Sequence, residues 1–261
     1  MLRSLYTAAT GMEAQQLKMD VISNNLANAS TTGFKKARAE FEDLLAETVR
    51  VPGAPLPGGG GDPAPLQVGL GVRTGSTTRS FAQGDMIATQ NSLDVAIEGD
   101  GFFRVTRANG ETAYTRAGNF RLDAEGRLTT PHGELVDPGI EVPPETLDLS
   151  IKPDGTVLAR LPGATDLQEL GVLELTTFPN PDGLLASGNN LFDATSAAGE
   201  PSHQRPGENG TGQLAQGYLE GANVKAVEEM IDMISAQRAY ELNSKVIQTA
   251  DQMLQRLTSL R

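Results

Sequence analysis

A chain of 261 residues is long enough to bury a sizeable core, yet it is only 38% hydrophobic and 5% aromatic and has no Trp, so its apolar material is thin for its length. Its formal charge of -12 argues against nucleic acid and anionic membrane surfaces as partners, because both are held through clustered Lys and Arg. The absence of cysteine excludes thiolate nucleophiles, disulfides and Cys-based metal sites.

From the start, Met1-Leu2-Arg3-Ser4-Leu5-Tyr6 runs straight into Thr, Gly, Glu and Gln, too polar for the apolar core of a cleaved signal peptide. Residues 4–28 are instead free of Pro and rich in helix formers. There Leu5, Met12, Met19 and Leu26 recur every seven residues, with Ala8, Gln15 and Ile22 three positions on, the spacing of a coiled-coil seam. The Lys35-Lys36-Ala37-Arg38 cluster is followed closely by Glu40, Glu42 and Asp43, and reads as a solvated, internally paired face.

Between Val51 and Leu66 the chain is so rich in Pro and Gly that it has almost nothing to bury, which predicts a loop or linker tip. Short strands separated by turn residues should follow. Phe102–Thr106 and Thr112–Thr115 bracket Asn109-Gly110, Asn119–Leu122 and Arg127–Thr130 bracket Asp123-Ala124-Glu125-Gly126, and Leu149–Lys152 and Thr156–Ala159 bracket Asp154-Gly155. These hairpins predict an antiparallel β-rich region over about 68–215. Gly207 to Gly217 then returns the chain to a second helical stretch, residues 222–260. In it Ala226, Met233, Tyr240, Ile247 and Leu254 form one seven-residue row, and Ala236, Asn243, Ala250 and Leu257 another. Asn223 is placed to cap this helix, Glu228 and Glu229 lie near its positive end, and Arg256 and Arg261 near its negative end. At 1.5 Å per residue the helix reaches on the order of 55 Å, more than a thin core can cover, so its stripe calls for other long helices. The fold class expected is α+β: long terminal helices pairing as a coiled-coil-like core, with a central antiparallel β-rich domain.

Catalytic chemistry finds little support. His132 and His203 each sit beside a Pro or Gly turn with no partner motif, and read as loop residues rather than bases or ligands. Gly69-Leu70-Gly71 and Gly99-Asp100-Gly101 lack the third Gly and the Lys-Ser/Thr of a phosphate loop. Asp123-Ala124-Glu125-Gly126 lacks the closing Glu of a calcium loop and reads as a hairpin turn. No catalytic residue, cofactor or metal site is expected.

At Ser23-Asn24-Asn25-Leu26-Ala27-Asn28-Ala29-Ser30-Thr31-Thr32-Gly33-Phe34-Lys35 the sequence resembles the N-terminal signature of the flagellar basal-body rod and hook proteins. Three more stretches are similar to that family: Asp94 to Phe103, Tyr114 to Phe120, and the tail from Glu220, where Met233 to Lys245 and Asp251 to Gln255 are most like the distal rod branch. The resemblance runs from end to end. It implies an exported, non-enzymatic subunit that stacks helically into the periplasmic drive shaft. The partners implied are copies of itself, proximal rod proteins, the hook protein, the surrounding P- and L-ring proteins and the flagellar type III export apparatus, with no direct membrane insertion.

Carried over position by position, the resemblance places Asn24, Asn25, Asn28, Gly33 and Phe34 at the helix end and the turn after it, and Gln237, Arg238, Tyr240 and Asn243 on the last helix. All are implied in packing and subunit contact, together with the seam residues Leu5, Met12, Met19, Leu26, Met233, Ile247 and Leu254. The resulting division is a first core segment at 1–40, a rod-type insertion at 41–72, an outer β domain at 73–215 and a second core segment at 216–261. The hook branch and the proximal rod branch share the opening signature, but hook proteins usually carry an additional outer domain for which this chain is short. Two readings from other classes are a cell-wall-acting enzyme using paired carboxylates and a coiled-coil adaptor with no flagellar role.

Overall fold

The structure, a computed structural model, describes residues 2–50, 64–163 and 167–259. Two helices close the chain at its ends: α1, Leu2–Ala27, and α2, Ala226–Ser259. Among the described residues, what lies between is strands and turns with one short 3-10 helix at Pro181–Gly183, so the α+β expectation is met. The Pro-Gly stretch expected as a linker tip lies mostly outside the described residues.

The chain forms two compact units. The first comprises Met1–Ala27, Ala37–Thr78 and Lys225–Arg261, the second Asn28–Lys36 and Arg79–Val224, so the chain passes between them after Ala27, Lys36, Thr78 and Val224.

In the first unit α1 and α2 pack on each other. Only α2 carries acids and bases where the peptide dipoles favour them, with Glu228 and Glu229 in its first turn and Arg256 in its last. Strand Ala37–Asp43 pairs with Val72–Arg79, and Glu47–Arg50 runs antiparallel to Leu66–Val68.

The second unit is built from antiparallel hairpins around a nine-stranded sheet. The three hairpins expected from turn chemistry are present, as Phe102–Thr106 with Thr112–Thr115, Arg121–Leu122 with Leu128–Thr129, and Asp148–Ile151 with Thr156–Arg160. In the second of these turns the Asp123 carboxylate accepts the backbone N–H groups of Glu125 and Arg127 at 3.0 and 2.7 Å, which spends it on closing the turn.

Strand alternation divides the core in two. Along Phe102–Thr106 the side chains of Phe103 and Val105 enter a cluster with Val95, Ile97, Phe120, Leu128 and Leu175. Phe102 points the other way, into a cluster with Tyr114, Phe178, Leu184 and Phe192. With no Trp, edge-to-face rings close both clusters: Phe103 on Phe120 at 5.0 Å and Tyr114 on Phe178 at 4.8 Å.

Candidate packing faces

In the first unit, Ala8, Ala14 and Ile22 of α1 are buried, as are Ala236 and Ala250 of α2. The alanines among them let the two helices approach closely. Gly11 shows how closely, since a β-carbon there would come within 2.9 Å of the Asn243 side chain. Asn25 meets Glu229 farther along, so the numbering rises along one helix as it falls along the other and the pair is antiparallel.

Asn25 is the polar pin of this pair. Its carboxamide oxygen accepts the Ala37 N–H at 2.9 Å, and its nitrogen donates to the Ala37 carbonyl at 2.8 Å and to the Glu229 carboxylate at 3.1 Å. Neither Asn25 nor Glu229 is exposed, so the contact replaces water that both groups have lost.

The seam residues Leu5, Met12, Met19 and Leu26, with Met233, Asn243, Ile247 and Leu254 opposite, are half-buried. Gln237 and Arg238 are exposed, Tyr240 is barely so, Asn24 is exposed and Asn28 half-buried. A second apolar row on α2 lies open to solvent: Val227 is 70% exposed, Ile231 62% and Leu242 65%, with Ile234, Val246 and Met253 along the same helix also exposed. The heptad reading missed this row because it counted from Ala226 and Ala236. Its own signal is the i, i+4, i+7 spacing of Val227, Ile231 and Ile234.

The signature turn and the approach to α2 meet in the second unit. Gly33 has φ +68 and donates its N–H to the Glu220 carbonyl at 2.8 Å; a β-carbon on it would stand 2.7 Å from the Ala117 nitrogen. Phe34 is buried, with the Arg79 guanidinium 5.7 Å over its ring.

Lys35 corrects an expectation. Instead of joining a solvated basic face it is fully buried, with Nζ donating to Glu220 Oε1 at 2.6 Å and to the Ala82 carbonyl at 2.8 Å. The same Glu220 oxygen accepts the Gly84 N–H at 2.9 Å, and Oε2 faces the Arg116 guanidinium at 3.4 Å. Arg116 lies 5.4 Å over the Phe102 ring, and its buried Nε has no hydrogen-bond partner among the described residues. Burial draws the Lys35 ammonium below its ordinary pKa, and the neighbouring Glu220 carboxylate opposes that pull.

Asn223 supplies the second correction. It stands before α2 but does not cap it, since the helix begins at Ala226. Its carboxamide is committed instead to the Lys36 N–H at 2.7 Å and to the carbonyls of Ser80 and Ala82 at 2.7 and 3.0 Å. Of the two histidines, His132 is exposed, whereas His203 lies on strand Ser202–Gln204 with its ring 2.9 Å from the Thr176 hydroxyl. Among the described residues no group of three or more His, Asp and Glu is placed to hold a metal ion.

The elements that carry these contacts match known families. Residues 5–35 match a flagella basal body rod protein family, residues 96–159 the D1 domain of flagellar hook protein FlgE/F/G, and residues 215–260 the C-terminal part of flagellar basal body rod FlgEFG proteins. A flagellar basal-body rod protein FlgG from Buchnera aphidicola subsp. Schizaphis graminum is 48% identical over 260 residues, all of both chains. The chain belongs to the flagellar basal-body rod protein family. The rod protein of the same name from Caulobacter vibrioides is 48% identical and that of Bacillus subtilis 41%, again over the full length of each. A flagellar hook protein FlgE from Helicobacter mustelae matches at 47% over 137 residues, but only 30% of that longer protein is covered. This rod protein is therefore a structural component of the flagellar basal body and not an enzyme. No described helix is long and apolar enough to cross a membrane.

Proposed function

We propose that the chain polymerises helically through α1 and α2 into the distal rod, the periplasm-spanning drive shaft that carries torque to the hook. The observation that carries this reading is the open row on α2. Val227, Ile231, Ile234 and Leu242 leave apolar surface in water on a helix whose other face already packs on α1, and copies of the same helix pair are the cover it needs. Stiffness then follows from many shallow contacts along long helices. Helix pairing in coiled-coil fashion, the subunit-contact roles of Gln237, Arg238, Tyr240 and Asn24, and the division at residues 40, 72 and 215 belong to the same proposal.

Its neighbours in the shaft are copies of itself, proximal rod proteins and the hook protein, with the P- and L-ring proteins around it. Export occurs through the flagellar type III apparatus without cleavage of a signal peptide. The test is a pair of charge substitutions on the open row, Ile231→Asp and Leu242→Asp, followed by electron microscopy of purified basal bodies and a swimming assay. Basal bodies that end short of the distal rod, from a monomer with unchanged circular dichroism, are expected. Full-length rods and normal swimming from both variants would overturn the proposal.

A further inference from the structure

Two Asn-Gly pairs occur in the chain, at Asn109-Gly110 and Asn209-Gly210. In such a pair the glycine nitrogen can attack the asparagine side-chain carbonyl, because glycine presents no β-carbon to hinder the approach. The attack needs an uncommitted glycine N–H and a carboxamide free to swing over its own peptide. The two pairs differ in both respects.

At the first pair the reactants are tied. The Gly110 N–H donates to the Arg107 carbonyl at 2.9 Å. The Asn109 carboxamide donates to Glu111 Oε2 at 2.8 Å and accepts the Glu111 N–H at 3.0 Å. At the second pair Asn209 and Gly210 have φ +48 and +86 and occupy the centre of a turn closed by the Thr211 N–H on the Glu208 carbonyl at 2.9 Å. Two left-handed central residues make this a type I′ turn, in which the second central N–H takes no part in the closing bond. Among the described residues neither the Gly210 N–H nor the Asn209 carboxamide has a hydrogen-bond partner, and both residues are exposed.

We propose that Asn209 is a site of spontaneous deamidation, converted in the folded chain ahead of Asn109. The Gly210 nitrogen, its proton lost to solvent base, forms a bond to Cγ of Asn209. The Cγ–Nδ2 bond then breaks, and ammonia leaves with a proton from water. Water opens the resulting five-membered imide at either carbonyl, so position 209 becomes aspartate or isoaspartate. One water is consumed in all, one ammonia is released, and no electrons move. The turn itself is held at its ends, by the Thr211 N–H and hydroxyl on the Glu208 carbonyl at 2.9 and 2.6 Å, and neither bond involves the reacting groups.

The product has a local consequence. Asn209 and Gly210 line a cavity of about 360 Å³ whose wall also holds Asp100, Phe102, Phe178 and Arg116. Each conversion adds a negative charge to the wall that carries Arg116, whose buried Nε has no acceptor among the described residues. Isoaspartate also lengthens the backbone by one atom, which the tight turn cannot absorb.

The experiment incubates the full chain at mildly alkaline pH, folded and in denaturant, and follows both sites by peptide-mapping mass spectrometry. Conversion at position 209 is expected several-fold faster than at position 109 in the folded protein, with the difference collapsing in denaturant. Asn209→Gln should remove the early mass gain, and Glu111→Ala should quicken conversion at position 109. Equal folded rates, an earlier conversion at position 109, or a lead of position 209 that persists in denaturant would each overturn the proposal, the last by assigning the difference to sequence neighbours instead of the turn.

Discussion

Lys35 and Glu220 are separated by 185 positions in sequence and meet at 2.6 Å with neither side chain exposed. The bond joins the signature segment to the strand Tyr218–Glu220 that leads toward α2. Glu220 also faces Arg116, so one carboxylate answers two buried cations.

That asymmetry sets the first prediction. Losing one member of a buried ion pair costs about 3–5 kcal/mol, because the partner is left charged and dry. Glu220→Gln removes the charge that both Lys35 and Arg116 face, while its amide oxygen can still accept the Gly84 N–H, whereas Lys35→Met leaves the Glu220 carboxylate with Arg116 and Gly84. Urea unfolding should therefore show Glu220→Gln as the more destabilising change. A Lys35→Met variant that is equally or more unstable would mean that Arg116 does not share the carboxylate.

Asn25 gives a second prediction through its mixed role as donor and acceptor. Asn25→Ala removes three hydrogen bonds at a buried site, worth about 1–3 kcal/mol for the groups left unsatisfied. Asn25→Asp keeps the size but replaces the donor with an oxygen aimed at the Glu229 carboxylate and the Ala37 carbonyl. It should destabilise more than alanine, read as a lower urea midpoint for the loss of helical circular dichroism.

The contrast between these clusters shows what the sequence could and could not disclose. Hairpins at Asn109-Gly110 and Asp154-Gly155 were legible because turn chemistry is local, and α1 and α2 because heptad spacing needs only a short window. Lys35 reads as solvated because a lysine beside Lys36 and Arg38 ordinarily is, and its carboxylate partner sits at the far end of the chain. Asn223 reads as a cap because caps are the commonest use of an asparagine before a helix; only the fold brings Lys36, Ser80 and Ala82 within its reach. The open row on α2 was present in the spacing but hidden behind a seam that fits the same helix.

Gly33 carries the third prediction. Alanine there meets a left-handed backbone, worth about 1–2 kcal/mol, and a β-carbon 2.7 Å from the Ala117 nitrogen, which is backbone and cannot step aside. Gly217 has φ +77 with nothing within 4 Å of a β-carbon, so Gly217→Ala pays for backbone conformation alone. Thermal unfolding should rank Gly33→Ala clearly below Gly217→Ala. Equal shifts would show that the turn relaxes away from Ala117.

The last prediction concerns acid. The Asp154 carboxylate accepts the Thr156 N–H at 3.0 Å across the tight turn, and hydrogen bonding from Thr156 holds its pKa below the ordinary 3.8. A carboxylate whose pKa is lower folded than unfolded contributes stability that is present in full above the unfolded value and lost as pH falls through the folded one. Asparagine keeps an acceptor oxygen at this position but carries no charge. The stability gap between the parent chain and Asp154→Asn should therefore stay constant from neutral pH down to about the unfolded carboxylate range, then close as the pH drops further. Urea titrations at a series of acidic pH values measure it. A gap independent of pH would show that the hydrogen bond stabilises the turn through geometry alone, with no contribution from the charge.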